Sequence, residues 1–174
     1  MSQIDQKEHT KALIPVRPFL PADSEAVRAI YNFHVINSVA TFDTEQRSVA
    51  GQDQWVMDHT GRHGAFVAAS NEVVQGYGAL SRWSPRGGYA PMAQISVYAA
   101  PDNVGRGIGR ALVPRLIEHA RVHEFHTIIA FITGSNKKSQ ALFEQQGFVP
   151  TGLMREVAYK HGAYHDLKIL QLML

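Results

Sequence analysis

Val97-Tyr-Ala-Ala-Pro-Asp-Asn-Val-Gly105-Arg-Gly107-Ile-Gly109-Arg-Ala-Leu112 is a strand running into a helix across a glycine-rich turn. Upstream, the β-branched and aromatic run Gln94 to Ala99 predicts the strand. Downstream, Ile108, Leu112, Leu116 and Ala120 recur at four-residue steps and predict the helix. Between them stand Gly105, Gly107 and Gly109. Glycine allows a close backbone approach and unusual φ, and a helix start presents unpaired N–H groups and the positive end of its dipole. Together these suit a phosphate or pyrophosphate, with Arg106 and Arg110 to add charge. No Gly-Lys-Ser/Thr follows, so this is not a Walker loop, and the spacing is not Gly-x-Gly-x-x-Gly. On the glycines alone, a helix entry that binds nothing remains open. Pro114 inside the helix predicts a kink.

Nearer the N-terminus, Leu13 to Phe19 has strand character, and Pro21-Ala-Asp-Ser signals a helix through about Ile36. A second helix is predicted from about Ser48 to His59. Ala65–Ala69 and Val73–Leu80 are apolar runs around Ser70-Asn-Glu, a hairpin signal. Ser84 to Pro91 reads as loop, Thr127 to Ile132 as a buried strand, and Asn136 to Gln146 as a helix stopped by Gly147. Val149–Val157 and Asp166–Leu174 are two final strands around a polar loop. The order β, α, α, β, β, β, α, β, α, β, β gives an α/β fold, a mixed sheet covered by helices.

The chain has 174 residues, which suits one domain. We expect a polar tail over residues 1–12 and a single domain over 13–174. Apolar residues make up 45% and charged residues 18%, a globular composition that excludes extended disorder. With no Cys there is no disulfide frame, thiol nucleophile or Cys-ligated metal site. The net charge of +2, with both signs interspersed, gives no footprint for nucleic acid. No apolar run is long enough for a membrane span, and a cytoplasmic protein is expected.

The glycine segment resembles the acetyl-CoA-binding motif of the GCN5-related N-acetyltransferases, Arg/Gln-x-x-Gly-x-Gly/Ala, with Val104 at the first position. A second element of that family, Asn-x-x-Ser-x-x-Leu-(aromatic)-x-x-x-Gly-Phe, is matched by Asn136, Ser139, Leu142, Phe143, Gly147 and Phe148. Three further stretches, from Ile30 to Glu45, Ser96 to Ala99 and Tyr159 to Asp166, resemble the phosphinothricin N-acetyltransferase-like branch. The resemblance implies a mostly antiparallel central sheet with a splayed parallel pair at the cofactor site and helices on both faces. It implies acetyl-CoA as co-substrate: Val97, Tyr98 and Ala99 would pair with the pantetheine arm, Gly105, Arg106, Gly107, Ile108, Gly109 and Arg110 would hold the pyrophosphate, and Asn136 and Ser139 would complete the site. Phe42, Trp83 and Tyr89 would wall an acceptor pocket, although each also reads as an ordinary core or loop anchor. A homodimer is implied by resemblance only.

Two positions depart from the branch. Where its members usually carry a glutamate base, two residues before the Ser-Val-Tyr segment, this chain has Gln94, which takes up no proton. Where many relatives have Tyr or His, it has Phe143. Gln94 can still orient a water or the amine, or be a plain strand residue. Tyr98 is the catalytic candidate beside it, and Tyr159, His161 and His165 are further possible proton carriers. Without a base, the acceptor must shed its own proton. An α-amino group near pKa ~8 is roughly one-tenth neutral at pH 7, whereas a lysine amine near ~10.4 is neutral in about one molecule in a few thousand. The absence therefore penalises a lysine acceptor far more.

The function expected is acetyl transfer from acetyl-CoA to the primary amine of a small amino acid or analogue, phosphinothricin-like or a methionine derivative, by direct attack. The rival is a non-catalytic acyl-CoA-binding or sensing protein, favoured by the losses at 94 and 143. His119, His123 and His126 fall near one helical face, but without a carboxylate-rich partner motif no metal is expected. His59 and His63 read as loop around Gly61.

Overall fold

In the computed structural model, which describes residues 14–174, the chain forms seven strands and four helices. The proposed tail over 1–12, like Leu13, lies outside the described residues. The strands are β1 (Val16–Pro18), β2 (Ala65–Ser70), β3 (Val73–Arg82), β4 (Met92–Ala99), β5 (Thr127–Thr133), β6 (Val149–Lys160) and β7 (Ala163–Met173); the helices are α1 (Ser24–Asn37), α2 (Val49–Asp58), α3 (Ile108–Val122) and α4 (Lys137–Gln145). All strands join one sheet in the order β1-β2-β3-β4-β5-β7-β6. Every neighbouring pair is antiparallel except β4 and β5.

The sheet is covered on both faces because its central strands are apolar on both sides. Phe66 and Ala68 of β2 pack with α3 and with Phe143 of α4. Val67 and Ala69, pointing the other way, pack with Val27, Ile30 and Val35 of α1 and Trp55 of α2. Helix α3 lies very close to the sheet. A Cβ on Gly76 would stand 2.4 Å from Ile108 Cγ2, and one on Gly78 would stand 2.7 Å from Leu116 Cδ1. Ser48 starts α2 by accepting the Gly51 N–H at 3.0 Å. Helix α3 runs on through Pro114 unbroken.

The two tight hairpins, β2–β3 and β6–β7, turn on pairs of left-handed residues, Asn71–Glu72 and His161–Gly162, which match the strand twist. The second turn is much shorter than the polar loop expected. β6 extends to Lys160 and β7 begins at Ala163, and most of β6 is exposed, so it lacks the apolar alternation that marks a strand.

The β4–β5 pairing runs from Met92↔Thr127 to Ile95↔Ala130 and stops, although β4 continues to Ala99 and β5 to Thr133. β5 stays paired with β7 as far as Thr133↔Leu167, and β4 stays paired with β3 as far as Ala99↔Gly76. The two strands thus diverge and leave one backbone edge of Ser96–Ala99 without a partner strand among the described residues.

Candidate active site

A cleft of about 500 Å³ opens at this divergence, bounded by the end of β4, the turn into α3 and the facing side of α4. Val97, Tyr98, Ala99, Gly105, Gly107, Ile108, Gly109, Arg110, Asn136 and Ser139 all line it. Arg106 does not. Its N–H closes a turn onto the Asn103 carbonyl at 3.1 Å and the residue is exposed.

The three glycines do different things. Gly105 and Gly107 have φ of 79° and 93°, a conformation strained for any other residue. Gly109 is helical, and a Cβ there would meet Leu142 Cδ2 at 2.5 Å, so it sets how closely α4 approaches α3. The first helical N–H to be taken is that of Ala111, which donates to the Gly107 carbonyl at 3.1 Å. The N–H groups of Ile108, Gly109 and Arg110 have no partner among the described residues.

Across the cleft, Asn136 caps α4, its Oδ1 accepting the Ser139 N–H at 3.1 Å. That commits the oxygen and leaves the Asn136 amide N–H₂ for the cleft. Lys138 also lines it, a residue the sequence reading passed over. Its signal was present: Lys137 and Lys138 stand in the first turn of α4 with no acidic residue there, the end of a helix that disfavours cations. Among the described residues, no carboxylate lines the cleft. Arg110, Lys138 and three free N–H groups therefore suit a pyrophosphate, and the unpaired β4 edge suits an extended amide-bearing arm.

His34 is the other residue missed. It recurs on the buried face of α1 and reads as core, yet its side chain reaches the cleft. Its Nε2 lies 2.8 Å from the Ala99 carbonyl and its Nδ1 3.1 Å from Ser38 Oγ. A carbonyl only accepts, so Nε2 carries the hydrogen.

Tyr98 packs edge-on against Tyr31 at 5.4 Å and obliquely against Tyr77 and His34. Burial pushes its phenol well above the ordinary range, which suits a hydrogen-bond donor rather than a base near neutrality. Phe143 is buried edge-on against Phe148 at 5.0 Å.

The other sequence candidates lie outside the cleft. Gln94 shares a β4 face with Tyr98, opposite to the face of Ala93 and Ile95, and is register partner to Ser81 and Ile129. Trp83 stacks on Phe131 at 5.0 Å and Phe42 on His165 at 6.1 Å. Tyr89 stands in a short 3-10 turn, 44% exposed. Tyr159 is 61% exposed, and His161 Nε2 and His165 Nε2 face the Ser38 and Lys160 carbonyls. His119 Nε2 faces the Gly61 and Arg62 carbonyls, and His123 Nδ1 that of His119. Among the described residues, no group of three or more His, Cys, Asp or Glu side chains is placed to hold a metal ion.

The loop between α1 and α2 closes one end of the cleft with Ala40. It is pinned by Thr133 Oγ1, which donates to the Val39 carbonyl, and by Lys160 Nζ, which donates to the Thr41 carbonyl at 2.7 Å.

A family model described as an acetyltransferase (GNAT) domain matches residues 17–169, covering the whole of this arrangement. The chain belongs to the GNAT family. An L-amino acid N-acyltransferase of Escherichia coli is 34% identical over 154 residues, 88% of this chain and 90% of the relative. An L-methionine sulfoximine/L-methionine sulfone acetyltransferase of Salmonella typhimurium is 33% identical over 158 residues, 88% and 90% of the two chains. Among solved structures, a GNAT phosphinothricin acetyltransferase from Sinorhizobium meliloti in complex with acetyl-CoA superposes with a TM-score of 0.90 at 31% identity, covering 94% of this chain and 89% of that one. The chain is thus an acetyl-CoA-dependent N-acetyltransferase, with the GNAT fold expected from its sequence.

Proposed function

We propose that the acceptor is the primary amine of a free amino acid or a close analogue, of the phosphinothricin or methionine-derivative kind. The observation that carries this is the match, over about nine-tenths of both chains, to relatives named for such acceptors. The uncharged Gln94 supports it physically, since a site without a carboxylate base there favours an amine that loses its proton easily. Acetyl-CoA would lie with its pyrophosphate on the N–H groups at the start of α3 and its arm along Ser96–Ala99. Direct transfer fits a chain without cysteine.

We further propose that the enzyme works as a homodimer in the cytoplasm. The dimer reading is supported by the apolar side chains left open on β6 and β7, Leu153 (57% exposed), Tyr159 and Tyr164 among them. No described helix is long and apolar enough to cross a membrane. The relatives, named as acyltransferases, give the sensing protein no support.

Initial rates with acetyl-CoA test the acceptor. The panel holds the free L-amino acids, methionine sulfone, phosphinothricin and a lysine-rich histone-type peptide. A free amino acid or analogue should give the highest kcat/KM. A panel led by the peptide would overturn the assignment.

A further inference from the structure

The resemblance puts residue 94 beside the acceptor amine, where Gln94 offers no ionisable group, but its cross-strand neighbour is not inert. Ser81 of β3 stands directly opposite Gln94, and paired residues of antiparallel strands project to the same face, with Cβ atoms about 5 Å apart. Ser81 Oγ lies 2.8 Å from His59 Nε2. His59 Nδ1 lies 2.7 Å from the Trp55 carbonyl. Because that carbonyl can only accept, Nδ1 carries the hydrogen, and the neutral ring presents a bare Nε2 to the Ser81 hydroxyl. His59 therefore does not sit in a loop, as its place before Gly61 suggested. It caps α2 and stacks on Trp55 at 4.3 Å.

We propose that Ser81 and His59 form the proton relay that this enzyme uses in place of a carboxylate at residue 94. The ammonium of the bound acceptor, oriented by Gln94, gives one proton to Ser81 Oγ as the Ser81 proton passes to His59 Nε2. The freed nitrogen lone pair forms the C–N bond to the acetyl carbon, and the C–S bond breaks. The amine's second proton leaves with the sulfur as the free thiol. The proton held on His59 then returns to solvent through a separate cleft of about 570 Å³, lined by Asp58, His59, His63 and Ser81.

The surroundings suit this role. Burial holds His59 below its ordinary value, so the ring is neutral and ready to accept at pH 7; Arg47 and His63 act in the same direction, and the Trp55 carbonyl and Asp58 oppose them. Arg62 and Arg82 also line that cleft, their guanidinium groups committed to main-chain carbonyls.

The relay rests on the amino-acid acceptor proposed above, and the test separates the two. The pH profile of kcat/KM is measured with one good amino acid for wild type, His59→Gln, Ser81→Ala and Ser81→Thr. Wild type should show its acid limb below about pH 6.5. His59→Gln and Ser81→Ala should each lose about 10²-fold at pH 7, with the gap closing towards the acceptor's own pKa, and Ser81→Thr should retain the wild-type limb. Independently of turnover, nitrogen NMR of the histidines should find His59 in the Nδ1–H tautomer. Superimposable profiles, or an Nε2–H tautomer, would overturn the relay while leaving the acceptor intact. Absence of turnover with every free amino acid would overturn both.

Discussion

Lys160 Nζ donates to the Thr41 carbonyl at 2.7 Å, tying the end of β6 to a loop 119 positions earlier in the chain. Lys160 is only 4% exposed, and burial lowers the pKa of its ammonium while Asp43 partly restores it. Lys160→Met keeps most of the stem and removes the donor. Leaving the Thr41 carbonyl unpaired should cost about 1–3 kcal/mol, read by urea denaturation. Because the pinned loop carries Ala40 and Phe42, KM for the acceptor should rise several-fold, with a smaller change in the Kd of CoA.

Gly107→Asp should abolish CoA binding. The residue sits at φ 93°, where an L side chain is strained, and the new carboxylate would face the free N–H groups meant for an anion. Titration calorimetry at low ionic strength checks this, and unchanged affinity would remove the pyrophosphate from that turn.

Gly109→Ala acts through packing instead. The added methyl meets Leu142 Cδ2, and overpacking of this kind costs about 1–3 kcal/mol. Leu142→Ala in the same chain should relieve part of that, so the double variant loses less than the sum of the singles. Strict additivity would mean that α4 simply moves aside.

Gln94→Glu should rescue the His59→Gln variant. A carboxylate across from Ser81 supplies the missing proton acceptor in nearly the same volume, and should return much of the ~10²-fold loss at pH 7. Failure to recover would mean that residue 94 does not face the amine.

Away from the site, Asp23 is held below the usual carboxylate range chiefly by its hydrogen bonds from Arg17, with burial opposing. The two Arg17 bonds are 2.6 and 2.8 Å. A depressed carboxylate stabilises above its unfolded pKa of about 3.9, and the effect is lost as pH falls through the lower folded value. Asp23→Asn should therefore cost about 1–3 kcal/mol at pH 7, and the difference from wild type should vanish in acid. A constant difference from pH 7 to pH 2 would contradict this.

The strand, turn and helix around Gly105–Gly109 were legible because their signals are local: a β-branched run, punctuating glycines and a four-residue period. The sequence could not tell Arg106 from Arg110, because the left-handed Gly107 between them breaks the helical phase that would relate the two. The true reach of β6 and β7 was hidden, since an exposed edge strand needs no apolar alternation. His59 and Ser81 lie 22 residues apart on different elements, and only the sheet register and the end of α2 bring them together. Lys138 is hidden differently: it falls at an unspecified position of the Asn136–Ser139 element, and only its misfit with the helix dipole marks it.

The divergence of β4 from β5 has a bearing on how this protein tolerates mutation. One wall of the cleft is the main-chain edge of Val97–Ala99 that β5 leaves uncovered, and exchange of a side chain leaves N–H and C=O groups where they are. Only proline, which deletes a donor, or a change that re-closes the two strands takes that wall away. Recognition of an extended partner by β4 is thus robust to nearly all single substitutions along it, while the opposite wall, which depends on Arg110, Asn136 and Lys138, can be lost one side chain at a time.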